Sequence, residues 1–269
     1  MEREATLRHY LMVRPTYYDV EYSINPWMDP AKPTSAETAI AQWERLRDLF
    51  IGLGHTVEVL EARAGLPDMV FAANGATIVE GRVLVARFKH EQRRGESDAY
   101  LEWFGERGYQ FVRKARYINE GEGDLLVVGD RILAGAGFRT EPAAHREAEE
   151  FLGRPVIGLT LADPRFYHLD TALAVLDADT VMYNPRAFAP ESRRLLEHLY
   201  PDSIQSSTED AVVFGLNAVS DGRHVVLPEA ATGLMEQLRE RDFKPISADT
   251  SELLKAGGSA KCCTLEIRG

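Results

Sequence analysis

Residues 124–159 read DLLVVGDRILAGAGFRTEPAAHREAEEFLGRPVIGL, and the order of their apolar runs sets the expectation for the whole chain. The runs 124–128 and 131–136 form two paired strands. Thr140-Glu141-Pro142 then opens a helix toward Leu152, with proline early in the first turn where a backbone N–H is not needed, and 156–159 is a third strand. Two strands precede one helix and one strand follows it. The same order recurs roughly every 40 to 60 residues, which predicts a repeated β-β-α-β unit rather than the strict β-α alternation of a doubly wound sheet.

Toward the amino terminus a strand over 7–13 precedes Thr34-Ser35-Ala36-Glu37, a capping-box start for a helix running to about residue 53, with Gly52 and Gly54 as stop signals. A strand follows over 56–60. The apolar runs 69–73 and 76–80 surround Asn74-Gly75, a two-residue hairpin turn on local grounds, and 82–88 adds a strand. A helix over 97–107 leads to a strand over 110–113. Toward the carboxyl terminus, strands are expected over 171–176 and 180–183, a helix over 190–199, a strand over 203–205 and a helix over 208–214. Strands over 217–220 and 224–227, a helix over 232–241, a strand over 244–247 and a β-prone tail holding both cysteines complete the reading.

With 269 residues and 45% hydrophobic content the chain can bury one large core, and one domain over 1–269 is expected because no linker-like stretch interrupts it. The prolines Pro26, Pro30 and Pro33 are accompanied by Tyr22, Trp27 and Met28, which reads as an ordered loop. A formal net charge of −11 disfavours nucleic acid or an anionic membrane as partner and suits a small cationic substrate. The start, Met1-Glu2-Arg3-Glu4, lacks an export pattern, and no apolar stretch approaches the ~20 residues of a membrane span. Cys262 and Cys263 are neighbours, badly spaced for an intramolecular disulfide or for zinc, so free thiols and a cytoplasmic setting are expected. A homo-oligomer is neither implied nor excluded.

Gly257-Gly258-Ser259-Ala260-Lys261-Cys262-Cys263-Thr264 puts a thiol beside glycine backbone, an arrangement suited to a nucleophile; the plain alternative is two small side chains on opposite faces of a strand. His168, at the start of an apolar strand, is either a satisfied buried histidine or a general acid and base, with Asp170 on the same strand face to hold one ring nitrogen. Glu120-Gly121-Glu122-Gly123-Asp124 is either an acidic surface turn or a set of carboxylates aimed at a planar cation. Asn25 and Asn74 read locally as turn formers, and Arg93 as a solvated charge unless the substrate carries a carboxylate for a bidentate clamp.

Taken together, Tyr18 to Tyr22 with Ile24-Asn25-Pro26-Trp27-Met28, Pro67 to Gly75, Glu120 to Asp124, Phe166 to Thr171 and Gly257 to Thr264 resemble the amidinotransferase/dimethylargininase superfamily, the pentein or guanidine-modifying proteins. The resemblance implies an α/β propeller of five β-β-α-β units around a pseudo-fivefold axis, with the site in the central channel. It implies Cys262 rather than Cys263 as nucleophile, His168 as acid and base, Glu120 as its carboxylate partner at the guanidinium, and Asp124 and Asp170 as supporting acids. The subgroup most alike is the cyanobacterial arginine dihydrolase domain together with bacterial dimethylargininase-like proteins. Where dimethylargininases and arginine deiminases usually carry Asp, this chain has Asn74, and an amide supplies no negative charge.

The activity so implied is cysteine-dependent hydrolysis of a C–N bond in the guanidino group of L-arginine or an Nω-methylated arginine through a covalent thiouronium, with neither cofactor nor metal. Citrulline or ornithine would result, with ammonia or an amine. On that reading Glu120 and Asp124 flank the guanidinium, Arg93 holds the carboxylate, and Asn25 and Asn74 meet the polar edges. Two rivals use the same residues: an amidinotransferase, in which an amine replaces water, and a non-catalytic arginine-binding propeller.

Overall fold

In the computed structural model, which describes residues 3–269, the described residues form five three-stranded sheets. The first contains β1 (His9–Val13) and β2 (Thr56–Leu60), parallel to each other and joined by α1 (Ala36–Gly52). The second contains the hairpin β3 (Ala76–Val79) and β4 (Arg82–Val85), then α2 (Glu96–Glu106) and β5 (Phe111–Lys114), which returns parallel to β4. The third repeats the pattern with β6 (Leu125–Val128), β7 (Arg131–Ala136), α3 (Pro142–Leu152) and β8 (Val156–Thr160).

A one-turn helix, α4 (Leu169–Ala172), precedes the fourth set of β9 (Leu173–Val175), β10 (Val181–Tyr183), α5 (Pro190–Leu199) and β11 (Ile204–Gln205). After α6 (Thr208–Val212) come β12 (Val219–Ser220), β13 (His224–Pro228), α7 (Thr232–Glu240) and β14 (Lys244–Ala248). The last strand, β15 (Leu265–Glu266), returns to the first sheet and pairs antiparallel with β1, Leu265 opposite Leu11. Four β-β-α-β units are therefore contiguous, the fifth is assembled from both ends of the chain, and the ring is the five-unit α/β propeller.

The first strand of each unit lines the inside of the ring: β15 touches β3, and both β6 and β12 touch β9. Helix α1 shows how an outer element is fastened. Its buried residues Ala39, Gln42, Trp43, Leu46 and Phe50 recur every three or four positions, one face of a helix. Trp43 is fully enclosed, and removing a ring of that size from a closed core costs about 3–5 kcal/mol. The helix starts one residue later than the capping box predicts. Ser35 is the cap, accepting from the Thr38 N–H at 3.1 Å, and its own N–H donates to the distant Glu252 at 2.6 Å. No helix among the described residues is long and apolar enough to cross a membrane.

Three local expectations fail for one reason, that long-range bonds override local propensity. No strand forms over 69–73, and Asn74-Gly75 is not a hairpin turn; Pro67–Val70 and Ala72–Gly75 are short 3-10 turns. The Ala73 N–H donates to the Cys262 carbonyl at 3.0 Å, and the Gly75 carbonyl accepts from Ala86 at 2.9 Å. Gly75 is required by proximity, because a Cβ there would lie 2.2 Å from the Tyr100 ring. The strand expected over 171–176 begins as α4 and becomes extended only at Leu173. The cysteines lie in a turn over 260–263, and β15 starts two residues beyond Cys263.

Candidate active site

Asn217, fully buried just before β12, builds the cysteine turn. Its Oδ1 accepts from the N–H groups of Ser259 and Cys262, both at 3.1 Å, and its Nδ2 lies 3.1 Å from Cys262 Sγ. Cys262 Sγ in turn lies 3.4 Å from Asp170 Oδ2. Burial pushes the Cys262 thiol well above its ordinary range, Asp170 adds to the rise, and the Asn217 amide opposes it. The resting sulfur is thus a neutral thiol donating to Asp170. Both cysteines belong to the apolar cluster that includes Tyr18, Val20 and Met28.

Asn217→Ala removes both kinds of bond at once. Each orphaned backbone N–H is expected to cost about 1–3 kcal/mol of stability, read as a lower urea midpoint. The thiol, having lost a donor that favours its anion, is expected to alkylate with a pH midpoint shifted upward. An unchanged midpoint in both measurements would contradict this arrangement.

His168 is the N-cap of α4, with φ −119° and ψ 155°, and its carbonyl accepts from the Thr171 hydroxyl at 2.7 Å. Its Nε2 donates to Glu120 Oε2 at 2.7 Å. That bond fixes the tautomer and leaves Nδ1, buried and without a protein partner, carrying the lone pair. Glu120 Oε2 also accepts from Arg139 Nη1 at 2.7 Å, and Oε1 from the Lys89 N–H at 3.2 Å. Burial alone would raise the Glu120 carboxyl; Arg139 and His168 outweigh it and hold the group well below the usual carboxylate range.

Asp124, expected beside the guanidinium, is engaged within the protein. Its Oδ2 accepts from the Thr140 hydroxyl at 2.7 Å and the Thr140 N–H at 3.3 Å, and its Oδ1 from the Leu169 N–H at 3.0 Å. The Thr140 hydroxyl accepts in turn from the Glu120 N–H at 3.1 Å. Both Asp124 oxygens are spent on setting the backbone beside Glu120 and His168. Asp170 does not hold the His168 ring either, because residues two apart share a face of a strand but diverge on the helical turn that actually forms. It faces Cys262 instead, with Oδ1 buried and unpartnered. Burial pushes its carboxyl up to about 6, against the pull of His168 and Lys261.

Arg93 is buried rather than solvated. Its Nε and Nη2 clamp the two Glu96 oxygens at 2.8 and 2.9 Å, Nη2 also reaches the Asp68 carbonyl at 3.3 Å, and Nη1 donates to Asn74 Oδ1 at 2.8 Å. The bidentate carboxylate partner expected from a substrate is supplied by the protein itself. Because Arg93 occupies the Asn74 oxygen, Asn74 Nδ2 points the other way, 3.5 Å from the Glu120 carbonyl, and offers a donor. Gly123 makes room for it: a Cβ there would lie 2.3 Å from that nitrogen and 3.3 Å from the His168 ring. Asn25 is likewise occupied, accepting from the N–H groups of Trp27 and Met28 at 2.9 and 3.2 Å and donating to the Ala256 carbonyl at 3.1 Å.

Three side chains not singled out in the sequence complete the site. Arg139 is buried between Glu120, the Ile24 carbonyl at 2.8 Å and the Tyr167 ring at 4.8 Å. Asp68 keeps Oδ1 unpartnered while its Oδ2 accepts from the Tyr22 hydroxyl at 2.9 Å. Asn217 had one signal, an amide at the head of an expected strand, where Asn is disfavoured.

The roof is the loop carrying Tyr18 to Met28, tied down by Tyr18 to the Glu252 carbonyl at 2.6 Å and Trp27 Nε1 to the Arg165 carbonyl at 2.9 Å. Beneath it Cys262 is 2% exposed and His168 1%. The floor is an ionic plug: Lys261 donates to Glu122 at 2.8 Å and to the Thr264 carbonyl at 2.9 Å, and Arg268 pairs with the same Glu122. Lys261 also borders an axial cavity of about 260 Å³, lined by Leu126, Leu173, Val219 and Glu266 of four inner strands, which neither Cys262 nor His168 reaches.

Known proteins share this arrangement of fold and sequence. The eukaryotic N,N dimethylarginine dimethylhydrolase family matches residues 21–269. The chain is 53% identical over 265 residues to the N(G),N(G)-dimethylarginine dimethylaminohydrolase of Mycobacterium tuberculosis, covering 98% of this chain and 87% of that protein. It is 37% identical over 263 residues to the bifunctional arginine dihydrolase/ornithine cyclodeaminase ArgZ of Synechocystis sp., covering 96% of this chain and 37% of that longer protein. The crystal structure of the N-terminal domain of cyanobacterial ArgZ, a cysteine-to-serine mutant bound to substrate, aligns with a TM-score of 0.92 at 36% identity, covering 97% of this chain and 98% of that one. The chain therefore belongs to the dimethylarginine dimethylhydrolase family, propeller hydrolases that cleave C–N bonds of a guanidino group.

Proposed function

We propose that the protein hydrolyses the guanidino group of free L-arginine or of an Nω-methylated arginine through a covalent intermediate on Cys262. One observation carries the reading: the Cys262 thiol, the His168 imidazole with an unpartnered Nδ1 and the Asp170 carboxylate with an unpartnered Oδ1 lie together in one buried site. An unpaired buried carboxylate oxygen is costly unless a cation arrives to meet it.

The guanidinium binds against Asp170 Oδ1, and its charge cancels the field that kept the thiol protonated. The Cys262 proton passes to His168 Nδ1, and Sγ forms a bond to the central carbon. His168 then gives that proton to a terminal nitrogen, the C–N bond breaks, and ammonia or an amine leaves a thiouronium on the sulfur. Water enters, gives one proton to Nδ1 and forms the C–O bond; the C–S bond breaks and that proton returns to sulfur, while the hydroxyl loses its own proton to solvent as the C=O forms, and a neutral ureido product departs. Glu120 holds the imidazole in place and stabilises its charged form. Asn217 steadies the sulfur anion at attack and at release.

Asp170 must be ionised to receive the cation. With its carboxyl at about 6, kcat/KM is expected to fall about tenfold per pH unit below that value. A profile level down to about pH 4, the ordinary carboxylate range, would remove Asp170 from this role. The activity itself is tested by offering the purified protein arginine, monomethylarginine, dimethylarginine and agmatine and quantifying citrulline, ornithine and released amine. Absence of any ureido or ornithine product overturns the proposal. An amidino group found on added glycine or lysine would make the protein a transferase.

A further inference from the structure

A second concavity lies where the loop after β4 meets β5 and the segment leading to Glu120. It encloses roughly 500 Å³ and is lined by Arg87, Arg94, Lys114 and Arg116, with Phe88 at its wall and Glu141 the one carboxylate among its lining residues. Four cations around one acid stand out in a chain of net charge −11.

Their local neutralisation is poor. Glu141 Oε1 accepts from the Ile118 N–H at 2.9 Å. Arg87 and Arg94 donate to the carbonyls of Arg116 and Lys89, at 3.0 and 3.4 Å, which satisfies hydrogen bonding without cancelling charge. Lys114 meets Asp98 at 3.0 Å in a largely exposed pair, where such contacts are worth little, and the exposed Arg116 lies 3.7 Å from the buried Glu147 carboxylate. Glu147 is moreover engaged by Arg113 and by the backbone N–H groups of Arg116 and Tyr117. Like charges held around a concave wall repel one another until a counter-charge fills the space.

We propose that this pocket binds a small anion carrying a chain of phosphate groups. Guanidinium forks match phosphate oxygens two at a time, three of the four cations are arginines, and the volume is that of a small-molecule site. The walls are the segments that set Glu120: Arg87 and Asn119 exchange two backbone bonds at 3.1 Å, and Lys89 donates to Glu120.

Calorimetric titration with phosphate, pyrophosphate, tripolyphosphate, adenosine triphosphate and citrate tests the proposal. Affinity is expected to rise by about tenfold or more from phosphate to tripolyphosphate and to weaken as salt is added. The double variant Arg94→Glu/Arg116→Glu, which changes two exposed side chains, is expected to lose at least about tenfold while turnover is retained. Where that variant fails to fold, Arg94→Ala serves, with a smaller loss. Triphosphate nucleotide binding as tightly as tripolyphosphate points to a nucleotide occupant, and much weaker binding to an inorganic one. No saturable binding, equal affinity for citrate, or tripolyphosphate affinity unchanged in the charge-altered variants overturns the proposal.

Discussion

Replacing Cys262 by alanine is expected to lower turnover by about 10⁴- to 10⁶-fold, the loss seen when a covalent nucleophile is deleted from an otherwise intact site. Substrate binding should survive and even tighten. The wild-type thiol donates to Asp170 Oδ2, and its removal leaves both oxygens of that carboxylate for the guanidinium. The neighbouring thiol is not expected to substitute, because the Asn217 and Asp170 contacts fall on Cys262 Sγ. Two measurements check this: calorimetric binding of arginine to the variant, and mass spectrometry of wild-type protein quenched during turnover, which should gain mass on the peptide at Cys262. An adduct on Cys263, or more than about 1% residual turnover, would contradict the assignment.

Glu120→Gln should damage both stability and catalysis. The carboxylate is fully buried between Arg139 and His168, and neutralising it leaves the Arg139 charge buried without its partner. Breaking a pair of this kind costs about 3–5 kcal/mol. Turnover should fall by about 10²- to 10⁴-fold, because the imidazolium loses its stabilising charge and the Nε2–H its acceptor. The pH dependence has a definite sign. The folded-state value of Glu120 is depressed, so its contribution is complete above the unfolded carboxylate value and is lost as pH falls through the folded one. The gap in urea midpoint between wild type and variant should therefore be widest near neutrality and close on strong acidification. A gap independent of pH would show that the loss is one of packing alone.

The propeller was legible in sequence wherever an element is decided by its own residues. The stretch around β6, β7, α3 and β8 reads correctly because strand and helix periodicities alternate there without interruption. Residues 67–75 misread because the Ala73 and Gly75 backbone groups bond to partners elsewhere in the chain, and a glycine that fits under Tyr100 looks locally like a turn. The proposed trio of Cys262, His168 and Glu120 emerged only when the segments were taken together, since each has an ordinary structural reading alone. Arg93 misread because a charged run suggests water, whereas the residue three positions on, Glu96, folds back to clamp it. Asn217 and Arg139 act across 45 and 19 positions, on Cys262 and Glu120, distances at which no local pattern announces a pair.

Lys261 and Glu122, locked together beside Cys262, part the thiol from the axial cavity and turn what looks like a pierced ring into a cul-de-sac. On the proposed mechanism there is no back door: the amine released in the first half-reaction must leave by the side that admits water, so a bulky departing group is expected to delay its successor.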